Sequence, residues 1–120
     1  MRQVVGGRAF VEGRRLDEWV PEVVADLVAA FDPLRIVLMG LVARGDDGPD
    51  SDIDLVVVMS HVVPERRHEL MAAMQLAVRA PVGVDILPTD PDELERRKDV
   101  IGSFLYWHSR EGKVVYERAA

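Results

Sequence analysis

Apolar positions along this chain switch between two periods, and the switches divide it into elements. Leu16, Trp19, Val20, Val23, Val24, Leu27, Val28 and Phe31 recur at helical spacing and predict a helix that Asp32-Pro33 ends. Pro21 is assigned to its first turn, where a missing N–H is tolerated. Leu34–Met39 then reads as a short buried strand and residues 40–51, rich in Gly, Asp, Pro and Ser, as a loop. Ile53–Met59 predicts a second strand, apolar on both faces beyond Asp54, as in a central strand covered on both sides. Pro64 can open a helix whose buried stripe is Leu70, Met71, Met74, Ala77 and Val78, stopped by Ala80-Pro81.

Val82–Leu87 predicts a third strand, with Asp85 in its middle. Asp90-Pro91-Asp92-Glu93 reads as a helix start with Asp90 as cap and Glu93 reaching back to it. Val100–Glu111 predicts a last helix ended by Gly112, and Lys113–Tyr116 a final edge strand. The first fifteen residues admit two readings. Val4-Val5 and Ala9-Phe10-Val11 form a hairpin around Gly6-Gly7, or the segment is a mobile arm. The alternation of strands and helices predicts an α/β fold, a small mixed sheet flanked by helices.

Composition narrows the function classes. A length of 120 residues suits one domain with a core of its own. The 48% apolar and 30% charged content is that of a soluble globular protein. The absence of cysteine excludes disulfides and thiolate metal sites and points to the cytoplasm. No apolar run approaches the roughly 20 residues that span a bilayer, so no membrane role is expected. A net charge of −6 argues against non-specific nucleic-acid binding but not against a small anionic substrate, because a bound cation inverts the local field.

Three carboxylates carry the candidate chemistry. Asp52 and Asp54 open the second strand two residues apart, so both project from one face, roughly 6.5 Å apart along the backbone. Asp-x-Asp alone is weak, since Asp50/Asp52 and Asp90/Asp92 share the spacing and the latter is explained by capping. Context raises Asp52 and Asp54 above the others: a Gly-containing turn precedes them, and Asp85 sits between Val84 and Ile86, where a charge is costly unless paired or metal-bound. Three carboxylates on neighbouring strands suit oxygen-seeking Mg²⁺ or Mn²⁺. A calcium loop starting at Asp50 is rejected, because Leu55 and His61 stand where it needs Gly and Glu.

The run from Gly40 through Arg44, Ser51 and Asp52 to Asp54 resembles the signature of minimal nucleotidyltransferases of the DNA polymerase β-like superfamily. That signature is Gly-Ser, ten residues, then Asp-x-Asp, with a third acid on a later strand. The likeness extends from about Leu16 to Arg118 and leaves residues 1–15 as an N-terminal extension to a domain of residues 16–120. It implies that Asp52, Asp54 and Asp85 ligate two divalent ions, Mg²⁺ or Mn²⁺, and that a nucleoside triphosphate, ATP by preference, is the substrate. Asp85 would also orient or deprotonate the attacking hydroxyl. Gly40 would let the backbone approach the triphosphate, beside Leu41 and Ser51. Arg44 would add a phosphate contact, its other reading being a solvated loop arginine.

The signature serine is absent: position 41 is Leu. A hydrogen bond to a charged group is worth about 1.5–3 kcal/mol, so its loss implies a roughly ten- to hundred-fold defect. Two readings follow. In the first the chain transfers AMP from ATP to a hydroxyl on a partner protein, since small proteins of this family are commonly antitoxins to all-helical HEPN-type toxins. In the second it is a degenerate transferase that neutralises such a partner by contact. Nucleotide addition to RNA or to a small molecule is a third, for which only Arg66-Arg67 and Arg96-Arg97-Lys98 speak; a solvated helix face explains these more cheaply. His61, His68 and His108 are expected to have no role. Trp19, Met71 and Met74 are assigned to the core, and Phe104, Leu105, Tyr106, Trp107, Val114 and Tyr116 to core or partner surface.

Overall fold

The computed structural model describes residues 1–101, 103, 105 and 110–119. Two sheets are present among them. A three-stranded antiparallel sheet is formed by β1 (Arg2–Val5), β2 (Arg8–Val11) and β3 (Arg14–Arg15). A four-stranded mixed sheet has the order β6-β5-β4-β7, from β4 (Arg35–Met39), β5 (Ile53–Val58), β6 (Val84–Thr89) and β7 (Lys113–Glu117). Only β5 and β6 run parallel, and a crossover carrying a 3₁₀ turn (Pro64–Arg66) and α3 (Arg67–Ala77) joins them. The other helices are α1 (Leu16–Phe31), α2 (Gly40–Arg44) and α4 (Pro91–Arg97).

Helix α1 lies where its apolar spacing places it and buries Leu16, Trp19, Val20, Val23, Val24 and Leu27. The Glu18 carboxylate accepts from the Arg15 N–H at its start. Asp32 ends it in a left-handed conformation, φ 47°, with its N–H bonded to the Val28 carbonyl. Pro21 is not in the first turn: with the helix beginning at Leu16 it is the sixth residue, so the Asp17 carbonyl has no helical N–H to accept.

The central strands alternate between two cores. Ile36 and Leu38 of β4 and Ile53, Leu55 and Val57 of β5 pack beneath α1 with Met74 of α3. Val37, Met39, Val56 and Val58 face the other way and pack with Leu105. Trp19 and Met74 are core residues as expected, whereas Met71 is only half-buried. Gly112 follows the last helical residue, Glu111, and β7 is the expected edge strand, with Val114 exposed. The expected roles of Phe104, Tyr106, Trp107 and His108 lie outside the described residues.

One open reading is settled and two local expectations change. The hairpin reading of residues 1–15 is the one adopted, with Gly6 and Gly7 both at positive φ in the turn. It is packed down: Ala9 and Val11 enter the α1 core, and the Trp19 indole N–H donates to the Val11 carbonyl at 3.0 Å. The first part of the 40–51 loop is helical, forming α2. Asp90 caps α4 as expected, accepting from the Glu93 N–H at 2.9 Å and from the Val62 N–H. Glu93 does not reach back to it.

Glu93 instead accepts from the Thr89 hydroxyl and, at 2.7 Å, from Arg67 of α3. Burial alone would push its carboxyl pKa up, but the Arg67 and Thr89 hydrogen bonds outweigh burial and hold it below the ordinary value. Arg67→Ala strands this buried carboxylate and is expected to cost about 2 kcal/mol at neutral pH. The sign is fixed by the lowered pKa: the stabilisation is present above the unfolded value and is lost as pH falls through the folded one. Urea unfolding of both proteins across the acid range should therefore show their stabilities converging as Glu93 is protonated.

Candidate active site

The strand register decides how the acids meet. Asp54, in the second position of β5, is the direct partner of Asp85 in the second position of β6. Adjacent strands lie about 4.8 Å apart, so the two carboxyl groups stand side by side on one face. This is the face of Val37, Met39, Val56 and Val58, opposite the α1 core. Asp54 is half-buried and Asp85 exposed. Burial raises the Asp54 pKa to about 6, helped by the hydrogen bond that protonated Asp54 makes with Asp85 and by the charges of Asp85 and Asp52.

Asp52 lies one residue before β5 rather than in it, and is exposed. The next residue, Ile53, ties the chain to the start of β6 through an N–H bond to the Gly83 carbonyl at 3.0 Å. The Asp52 carboxylate rests against Gly83 so closely that a Cβ there would sit 2.8 Å from its Cγ. Gly83 thus belongs to the site although no expectation singled it out. Its signal was legible: a lone glycine between two valines marks a close approach.

Gly40 plays the same part for the other acid. Its φ is +70°, and a Cβ there would collide with a carboxylate oxygen of Asp54 and lie 3.4 Å from its Cγ. Leu41 follows in α2 and is 41% exposed, outside the core. The remaining candidates are engaged elsewhere. Ser51 accepts from the Gly48 N–H at 2.8 Å and staples its own loop. Arg44 pairs with Glu111 at 3.2 Å and lines a groove of about 850 Å³ with Arg8, Arg15 and Lys113. That groove includes Leu38 and Val42 of the α1 core, so it and the acids are on different faces. A smaller cavity of about 330 Å³ reaches Asp85 from the α3 side.

The donor chemistry suits a hard divalent cation: three carboxylates, one of them with its pKa raised by burial and by its two acidic neighbours, a cost that a cation would relieve. Among the described residues no three His, Cys, Asp or Glu side chains form a ready-made ligand set. Asp52 leans on Gly83 while Asp54 hydrogen-bonds to Asp85, so a cation entering between the acids would replace that bond. Within the basic clusters Arg66, Arg67, Arg97 and Lys98 each pair with a glutamate. No helix among the described residues is long and apolar enough to cross a membrane.

Comparison with known proteins bears on the fold and the family. No curated protein matches the chain. A solved structure from Sulfolobus solfataricus, provisionally named a nucleotidyltransferase, superposes with a TM-score of 0.61 at 21% identity, covering 86% of this chain and 81% of that one. At that identity the likeness speaks for the fold. The family model for the nucleotidyltransferase domain matches residues 18–106, which is most of the chain and includes Gly40, Asp52, Asp54 and Asp85. This chain belongs to the nucleotidyltransferase domain family.

Proposed function

We propose that this protein transfers AMP from ATP to a hydroxyl of a partner protein, with Asp52, Asp54 and Asp85 holding Mg²⁺ or Mn²⁺. The observation that carries this reading is the register of β5 on β6, which sets Asp54 beside Asp85 while the bare backbone of Gly40 abuts Asp54. Bound there, divalent cations supply neutralisation of the phosphate oxygens and activation of the attacking hydroxyl. Asp85, the exposed partner of the pair, takes the hydroxyl proton. The hydroxyl oxygen forms a new bond to the α-phosphorus as the bond to the β-phosphate oxygen breaks, and pyrophosphate leaves. Gly40 offers the triphosphate an approach with no side chain in the way.

The partner we favour is an all-helical toxin of the HEPN type, with this chain as its antitoxin in the cytoplasm. A contact-only role is the second reading, and one feature favours it: Leu41 replaces the serine hydroxyl that the family signature places at the phosphate. Incubation with Mg²⁺, labelled ATP and the product of the neighbouring gene separates the two. Label on the partner that disappears with Asp52→Ala is the expected result. A stable complex that never acquires label would establish the contact-only role instead.

A further inference from the structure

Residues 1–15 precede the stretch matched by the family, yet two of their arginines grip the loop that delivers Asp52. The Arg2 guanidinium donates to the Pro49 carbonyl at 2.8 and 3.2 Å and to the Ser51 carbonyl at 2.9 Å. Arg8, across the hairpin, donates to Asp47 at 2.6 Å, and the Asp47 side chain is fully buried. The loop's own ties are few. Asp46 bonds back to Leu41, and Gly48 and Ser51 bond to each other. The peptide between Ser51 and Asp52 has its carbonyl held by Arg2 alone among the bonds described, and the next anchor is Ile53 on Gly83.

The hairpin that presents these arginines is itself fixed. Arg2 pairs with Val11 in the β1–β2 register, and Val11 is in the α1 core with its carbonyl bonded to Trp19. A rigid chain of contacts therefore runs from α1 through Val11 and Arg2 to Ser51 and Asp52. Ligand side chains on a loop need such support, because a site loose by about an ångström loses much of its function.

We infer that Arg2 and Arg8 are positioning residues for Asp52, so that the amino-terminal sheet completes the metal-binding site of the transferase domain. The inference rests on the reading of Asp52 as a metal ligand, and its test is built to separate the two. Mn²⁺ binding to the nucleotide-free protein is measured by the loss of the free-ion electron paramagnetic resonance signal, for wild type, Arg2→Ala and Asp52→Asn. Arg2 is exposed, so its truncation leaves the core intact, and the thermal midpoint is recorded alongside. Loss of an outer-shell support typically weakens metal affinity 10–100-fold, and about tenfold is expected for Arg2→Ala with the midpoint unchanged. If Asp52→Asn weakens Mn²⁺ binding while Arg2→Ala binds as wild type does, the positioning role is overturned and the metal reading stands. If Asp52→Asn itself binds like wild type, the metal reading falls and takes this inference with it.

Discussion

Asp54→Asn should abolish nucleotidyl transfer and, in the same molecule, make the metal-free protein more stable at neutral pH. The first effect follows from the central place of Asp54 between Asp52 and Asp85. In the proposed function Asp54 is a charged metal ligand, and removing it forfeits several kcal/mol of charge stabilisation, a loss of about a thousandfold or more in rate. The second follows from the sign of its pKa shift. Burial and the two neighbouring carboxylates raise the folded value from 3.8 to about 6. Between those values the folded protein binds more protons than the unfolded chain, so stability falls as pH rises through the window and the deficit is complete above it.

The shift corresponds to about 3 kcal/mol before screening, and because Asp54 is only partly buried about 1 kcal/mol is the realistic gain on replacing it. Chemical unfolding of wild type and Asp54→Asn without divalent metal should give a difference that grows from near zero at acid pH to its full size at neutral pH. Added Mg²⁺ should stabilise wild type and not the variant. A pH-independent difference would mean that Asp54 carries no such strain. Such strain is what a functional site is expected to store against a ligand that relieves it.

Gly40→Ala is expected to harm both fold and activity, and Gly45→Ala only the fold. Both glycines adopt left-handed backbone, φ +70° and +74°, which costs an L-residue about 1–2 kcal/mol. A Cβ at Gly45 meets nothing within 4 Å, whereas one at Gly40 strikes the Asp54 carboxylate. That carboxylate is the end of a side chain and gives way by turning from Asp85. Thermal midpoints of the two variants should therefore fall together, by about 5 °C. Transfer by Gly40→Ala should fall more than tenfold further than by Gly45→Ala. Equal activity in the two would show that the approach of Gly40 to Asp54 has no catalytic consequence.

Most of the fold was legible because it rests on local patterns. The stripe of α1 and the paired-face runs of β4 and β5 could be read residue by residue, since apolar burial follows period 3.6 or 2 wherever one or both faces are covered. The boundaries were less so. Val82 and Gly83 were placed in β6, which begins at Val84, because their apolar run continues into a turn that carries the Asp52 contact. Glu93 was assigned to capping from its spacing alone, but Arg67 lies 26 residues away and offers the stronger bond.

By itself the sequence determined the chemistry available: which side chains are carboxylates, that Gly40 precedes them at family spacing, and that a hydroxyl is missing at position 41. Only the tertiary structure decided which acids meet. A one-residue change of register would have sent Asp85 to the opposite face from Asp54, and no local pattern fixes the pairing of two parallel strands joined through a helix. Nor could local pattern attach Arg2 to a loop 47 residues further on, because such contacts depend on where the chain's packed faces bring its ends together.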